Sequence, residues 1–209
     1  QGANHRSDAY DFQDYAASMT AYNNKGGASL RFGRFAEDGH FLGAKAEGGY
    51  ELAAGSGSSY VHLRAHRMIG DLRVEAHGTR VKTTVDFAHN SFVDDMHLNA
   101  SEYGLGALRA DVFATGDKVA ISYKQPLAVT SGGITQHSVR GYTAAGDYRV
   151  VHDRLDLAVD KRHEMLQLDY QVPLARDVRW FVSAATHRNW GNFGGRGNRM
   201  FFTGLNARF

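Results

Sequence analysis

Apolar and polar side chains alternate along almost the whole chain, and this period of two constrains the fold more than any other feature. Successive side chains on a strand point to opposite faces, so strict alternation means a strand with one apolar and one polar side. In residues 118–129, Val119, Ile121, Tyr123, Gln125, Leu127 and Val129 fall on one side. Lys118, Ala120, Ser122, Lys124, Pro126 and Ala128 fall on the other. Residues 165–175 repeat the pattern, with Leu166, Leu168, Tyr170, Val172 and Leu174 opposing Gln167, Asp169, Gln171 and Pro173. Segments 40–52, 104–115, 148–160 and 178–188 follow it, and 59–69 with 71–85 read as a hairpin about Gly70-Asp71.

Turn chemistry separates the segments, as at Glu37-Asp38-Gly39, Thr115-Gly116-Asp117, Gly146-Asp147 and Arg176-Asp177. The looser stretches 53–58, 86–95, 130–147 and 189–198 read as longer loops. Several segments run to about ten residues or more, beyond the usual strand of about 5–6. That length matches the roughly 9–11 residues a tilted strand needs to cross a bilayer. The pattern gives about ten strands between residues 28 and 209. Residues 8–22 fit a further strand, a short helix or a segment inside the lumen. Two regions follow: an N-terminal segment 1–27, acting as linker, plug or first strand, and a barrel over 28–209.

Composition narrows the class. With no cysteine, neither a disulfide framework nor a Cys-based zinc site can form. A net charge of +2, from 24 Lys+Arg against 22 Asp+Glu, argues against a nucleic-acid partner. The 11 histidines are mostly neutral at pH 7. The 24 glycines, 2 prolines, 12 Phe and 10 Tyr favour β structure. No apolar run reaches the roughly 18 residues of a membrane-spanning helix. Mean hydropathy of −0.42 says nothing against barrel strands, whose two faces average out. Gln1-Gly2-Ala3-Asn4 carries no signal-peptide pattern, so any such peptide is expected to have been removed or to lie upstream.

Alternation does not say which face points inward, and a soluble sandwich or lipocalin-like barrel alternates too. Three features favour a membrane barrel. Both signs of charge interleave on the polar faces, as in a lumen where neighbours pair, although a solvated surface would serve equally. The apolar faces carry many small residues, including Ala44, Ala46, Ala65, Ala76, Ala110 and Ala184. A soluble core needs bulkier fillers, whereas lipid adapts to any apolar surface. The chain also ends on an amphipathic strand with Phe201, Thr203, Leu205, Ala207 and Phe209 on one side. Such a strand resembles the assembly signal of bacterial outer-membrane barrels, with Phe201, Leu205 and Phe209 as its apolar positions. Tyr60, Tyr103, Trp190, Phe201 and Phe209 suit interfacial girdles. Closure into a barrel removes exposed edges and, in lipid, is obligatory for backbone pairing. The expected fold class is therefore all-β: an antiparallel transmembrane β-barrel of about 10–12 strands.

Several stretches carry a family resemblance. They are Leu30-Arg31-Phe32 leading to Phe41-Leu42-Gly43, Tyr103 to Asp111, and Gln125-Pro126-Leu127-Ala128-Val129-Thr130-Ser131-Gly132-Gly133. Leu166-Gln167-Leu168-Asp169-Tyr170 and Asn206-Ala207-Arg208-Phe209 add to them. From about Ala28 onward the chain resembles the C-terminal translocator β-barrel of bacterial autotransporters, nearest to the group with subtilase-type passengers. The resemblance implies a Gram-negative outer-membrane location, a passenger or partner polypeptide to anchor or translocate, and contact with outer-membrane lipids. It implies recognition by the barrel-assembly machinery through the last strand. It implies no cofactor, no metal and no catalysis. Barrels of that family have twelve strands and a helix through the pore; this chain is short for twelve, and 8–22 shows no clean helical stripe.

Candidate chemistry is sparse. His89-Asn90-Ser91 could pair a general base with a nucleophile, as in an outer-membrane lipid hydrolase, with Asp86, Asp94 or Asp95 to orient the histidine. A polar loop explains the same residues, and His137-Ser138 is a weaker case. His62 and His66 share a strand face but sit about 13 Å apart, too far for one metal ion, and His77 is expected opposite them only as another lumen histidine. Gly194-Gly195-Arg196-Gly197-Asn198 reads as a flexible loop before the last strand, and no nucleophile-elbow pattern occurs. The expected lumen-lining residues are Arg64, Arg73, Glu75, Arg109, Asp111, Lys124, Arg154, Asp156 and Asp169. Their mixed signs suit a narrow or plugged lumen. The leading expectation is an autotransporter-like translocator or anchor. A passive structural or porin-like barrel and a lipid hydrolase are the alternatives.

Overall fold

A computed structural model describes residues 12–38, 40–41, 44–45, 52–88 and 91–207. Strands make up 79% of the structure, and no helix among the described residues is long and apolar enough to cross a membrane. The strands are β1 (Phe12–Asn23), β2 (Gly26–Glu37), β3 (His40–Phe41), β4 (Ala44–Lys45), β5 (Leu52–Ile69) and β6 (Leu72–Phe87). There follow β7 (Val93–Ala110), β8 (Lys118–Tyr142), β9 (Tyr148–Asp156), β10 (Glu164–Ala175), β11 (Val178–Arg188) and β12 (Gly197–Ala207). Ten of them form one antiparallel sheet in the order β1-β2-β5-β6-β7-β8-β10-β11-β12, with β9 paired to the far part of β8. β3 and β4 form a separate two-stranded pair.

Strand β8 is 25 residues long because it serves two partners in succession. Lys118–Lys124 pairs with β10, and Gly133–Tyr142 pairs with β9. Between them lies Pro126, which has no N–H to give, at a point where β8 has no strand on one edge. The register with β7 also shifts there, between Ser101 and Tyr103. Gly132 completes the handover with φ of 118°, and a Cβ in its place would strike the His97 carbonyl. The Leu157 and Val159 N–H groups donate to the carbonyls of Gly132 and Val129, at 3.1 Å each, and so tie down the segment after β9. The Gln125-Pro126…Gly132-Gly133 stretch thus coincides with the change of partner.

Register converts the one-dimensional alternation into two surfaces, since directly opposed residues share a face. One row runs Val74–Ala107–Ile121–Leu168–Ala184–Phe201 across β6, β7, β8, β10, β11 and β12. The adjacent row runs Ala28–Ala65–Ala76–Leu105–Tyr123–Leu166. The opposite face carries Ser29–Arg64–His77–Gly104–Lys124 and His66–Glu75–Gly106–Ser122–Gln167. That polar face is the inner one: the buried polar side chains Glu37, Ser56, Ser58 and Thr83 all lie on it, beside a cavity of about 700 Å³ bounded by its residues on β1, β2, β5, β6, β7 and β8. The buried apolar cluster of Val85, Met96 and Leu98 also lies on this side, with Phe87, Val129 and Ile134 against it.

One rim has short connections, at Asn24-Lys25, Gly70-Asp71, 111–117 and Arg176-Asp177. The other carries the 38–51 connection, 88–92, the β8–β9 hairpin and 189–196. β1 starts at this long rim and β12 ends at the short one, so the two edge strands run in the same direction. A direct ladder between them would be parallel in an otherwise antiparallel sheet. Among the described residues they do not pair, and the sheet is not closed.

Some boundaries differ from the sequence pattern. Residues 12–23, which the pattern left undecided, form the first strand of the sheet. The 53–58 run, read as a loop from its Gly and Ser content, belongs to β5. Its serines serve the inner face: Ser56 Oγ donates to Glu37 at 2.9 Å, and Ser58 bonds Thr83 at 2.8 Å. The 130–147 loop is mostly β8, and only 143–147 turns. The strand expected over 40–52 has only the β3–β4 pair and the first residue of β5 among the described residues. β7 ends at Ala110, so 111–115 belongs to a turn.

That turn is organised by Asp117, which is fully buried at 0% exposure. Its carboxylate accepts the N–H groups of Val112, Phe113 and Ala114 at 2.7, 2.9 and 3.0 Å, and the Tyr170 hydroxyl at 3.2 Å. Burial pushes the carboxyl up, but these donors together outweigh it and hold it below the ordinary aspartate range. A folded value below the unfolded one means that the stabilisation is complete above the unfolded value and fades as pH falls through the folded one. Unfolding of the wild type monitored by heat or urea should therefore become easier below about pH 4. Asp117→Asn should be less stable at neutral pH and show a flatter acid profile; equal profiles for the two proteins would remove Asp117 from this role.

Candidate functional site

The site with the most organised chemistry is the polar inner wall. The pairing of β2, β5, β6 and β7 sets Arg31, His62, Thr79 and Glu102 side by side in one row. Thr79 Oγ1 donates to Glu102 at 2.7 Å and lies 2.8 Å from His62 Nδ1. Because the hydroxyl proton goes to Glu102, His62 donates through Nδ1. Farther along the same face, Asp14 accepts from Arg31 and from the Tyr60 hydroxyl at 3.2 Å each, and the Arg31 guanidinium lies 5.7 Å from the Tyr60 ring centre.

Of the residues expected in the lumen, Arg64, Arg73, Glu75, Lys124 and Asp169 line one inner-face depression of about 330 Å³. Glu75 sits 3.4 Å from Arg64 and 3.6 Å from Arg73, and Asp169 accepts from the Gln167 amide at 2.8 Å. The other four lie elsewhere. Arg109 opposes Leu72 and Val119, which places it on the outer face, because the alternation of β7 puts Leu105 and Ala107 outside and Leu108 inside. Asp111 belongs to the turn, with φ of 55°, and accepts the Gly116 N–H at 2.5 Å. Arg154 and Asp156 are on β9, on the side branch, and Asp156 accepts the Ala158 N–H at 2.9 Å.

Two histidine clusters escaped the sequence pattern. Asp94 is bonded by His137 Nδ1 at 2.8 Å and His152 Nδ1 at 3.0 Å, a meeting that depends on the β8–β9 register. His163 Nε2 lies 2.8 Å from His187 Nδ1, with Trp190 edge-on to both rings. No sequence spacing signals either cluster, since their members come from different strands and loops.

Of the hydrolase pair, His89 lies outside the described residues. Ser91 is 1% exposed, and its Oγ accepts the Val93 N–H at 3.1 Å within the β6–β7 turn. Asp94 and Asp95 are engaged by other histidines, at His137, His152 and His97. Between described residues, no serine hydroxyl bonds a histidine, and no group of three His, Asp or Glu side chains could hold a metal ion. Phe201 and Leu205 stand exposed on the outer face of β12, and Phe209 lies outside the described residues. What the inner wall can do is hold a cross-strand network of mixed charge. No protein-family model, curated protein or solved structure matches the chain.

Thr79→Val tests the network. It leaves His62 and Glu102 without their shared partner while keeping side-chain volume. A loss of about 1 kcal/mol is expected, given the partial exposure of the site. Urea unfolding followed by tryptophan fluorescence would measure it, and an unchanged midpoint would show the row to be decorative.

Proposed function

We propose that the chain is a bacterial outer-membrane β-barrel that anchors, or carries across the membrane, a passenger or partner polypeptide. The observation that carries this is the placement of the large apolar side chains. Most of them stand on the outer face and are exposed, as with Leu63 at 52%, Leu168 at 52% and Phe201 at 68%, with Tyr22, Leu108 and Phe202 among the exceptions, while the inner face is otherwise largely polar and hydrogen-bonded. A soluble barrel has the reverse arrangement. From Leu166 to Leu174 β10 keeps its apolar outer face over nine residues, within the roughly 9–11 that a tilted strand needs to cross a bilayer. Tyr103 and Tyr123 border that band towards the long rim. A wall bridged by Asp14–Arg31 and Glu75–Arg64 favours an anchor over an open, selective pore. β1 enters the sheet at the long rim, the side on which a displayed passenger would sit.

Leu168→Arg separates lipid from water on the outer face. In lipid, an arginine at mid-belt costs about 2–4 kcal/mol. On a solvated surface it is worth within about 0.5 kcal/mol of nothing. Gel mobility with and without boiling should show a heat-modifiable barrel in detergent, destabilised by the substitution. A detergent-free soluble chain indifferent to Leu168→Arg would end the membrane proposal. For the anchoring role, a reporter domain fused ahead of Gln1 should be removed by protease added to intact cells. A reporter protected until the cells are lysed would count against display.

A further inference from the structure

Where the apolar belt ends towards the long rim, the outer face changes character within two residues. The belt row Met19–Leu30–Leu63–Gly78–Tyr103 is followed by Phe32–Val61–Arg80–Ser101 and then by Arg34–Ser59–Lys82–Asn99. Arg80 and Lys82 are two positions apart on β6, about 7 Å along the strand, and Arg34 is two strands from Lys82, about 10 Å across. All three are exposed, and none makes an ion pair among the described residues. The nearby carboxylates are committed elsewhere or lie farther out. Glu102 bonds Thr79 and Asp14 bonds Arg31, both on the inner face. Asp86 and Asp95 are on the outer face but four residues beyond Lys82 and Asn99, about 13 Å away along their strands. A fourth cation, Arg162, is held in the same zone by Ser101, donating to its hydroxyl at 3.2 Å and its carbonyl at 2.5 Å.

The cations open onto a groove of about 810 Å³ whose floor runs from Val61, Leu63 and Gly78 to Ser59, Arg80, Lys82 and Asn99, with Tyr60, Thr79 and Glu102 also bordering it and the Glu102 carboxylate taken up by Thr79. Gly78 interrupts an otherwise bulky row and leaves the apolar end of the groove unfilled. A Cβ there would meet only the Glu102 carbonyl at 3.6 Å, an ordinary contact, so packing does not demand a glycine. Uncompensated cations in a region of falling dielectric attract an anion strongly. Charge-assisted bonds from guanidinium and ammonium groups, with serine and asparagine beside them, match phosphate oxygens.

We propose that this groove binds the phosphate of an anionic membrane lipid, with Arg34, Arg80 and Lys82 on the headgroup and an acyl chain lying over Val61, Leu63 and the gap at Gly78. The proposal rests on the outer-membrane reading, since only that reading brings lipid to this face. Apolar contact below and cationic contact above select a molecule carrying both chemistries, which free phosphate lacks.

Native mass spectrometry of the full chain released from detergent micelles tests it. The probes are phosphatidic acid, diacylglycerol with the same chains, and inorganic phosphate. Phosphatidic acid should be retained and diacylglycerol should not, and excess inorganic phosphate should fail to displace the lipid. Arg80→Gln with Lys82→Gln should weaken retention at least tenfold. Gly78→Leu should weaken it as well while leaving every charge in place. Equal retention of phosphatidic acid and diacylglycerol, or no effect of the double substitution, would overturn the site. Displacement by inorganic phosphate, or indifference to Gly78→Leu, would overturn the lipid as its occupant. A heat-modifiable barrel without lipid preference defeats this site alone, whereas a chain soluble without detergent defeats the membrane reading with it.

Discussion

The inter-strand hydrogen-bond ladder is the interaction on which the rest depends. Residues such as Val74, Ala107, Ile121, Leu168, Ala184 and Phe201 are far apart in sequence, and only the register of successive strands aligns them into one apolar row. A slip of one residue in any pair would send that strand's charges into the row and its apolar residues to the inner wall. Packing does little to enforce the register, because the buried apolar cluster is no more than Val85, Met96 and Leu98 with their neighbours. On the membrane reading proposed above, the ladder lies in lipid and needs no large core. An unpaired backbone group has no water to turn to there, so each hydrogen bond is costly to break. A thin core and an exposed apolar face are thus two sides of one arrangement.

The same logic explains the handover in β8. A strand that changes partner must leave some backbone groups without a ladder, and Pro126, the register shift near Ser101 and Gly132 fall where this happens. Proline removes a donor that would lack an acceptor. Gly132 lets the backbone turn against β7 where a side chain would collide. The segment after β9 then supplies N–H groups from Leu157 and Val159. The side branch of β8 and β9 can therefore project beyond the sheet without orphaned groups at its root.

Much of this was legible from residue order. Alternation marked β5, β6, β8, β10, β11 and β12 and the tight turn at Gly70-Asp71, since period two is a local property. Composition misled at 53–58, where Gly and Ser resemble a loop but serve as inner-face hydrogen-bonding positions opposite Glu37 and Thr83. The polar inner wall was partly foreseeable: Arg64, Arg73, Glu75, Lys124 and Asp169 do gather on one face. Arg109 did not, because within β7 the outward phase is set by Leu105 and Ala107, whereas the pattern was read from Leu108 and Ala110 on the other face. The Asp94–His137–His152 meeting could not be read at all, as it needs the registers of three strands at once. The cationic tier was hidden for the same reason: Arg34, Arg80 and Lys82 are ordinary polar positions until register sets them side by side.

Strand direction gives the last constraint. Every pairing in the sheet is antiparallel, and nine strands lie on its main path. An odd number of alternating strands leaves both edges running the same way, as β1 and β12 do. Bringing those edges together directly would demand a parallel ladder, with slanted bonds and a changed stagger, at one seam only. A second copy turned about the barrel axis would not relieve this, since its β1 would meet β12 in the same sense. Only an intervening strand rising from the short rim to the long one, or any odd number of alternating strands, continues the pattern. Its outward side chains would have to be apolar at the level of Met19 on one side and Leu205 on the other, because the belt it joins is apolar on both.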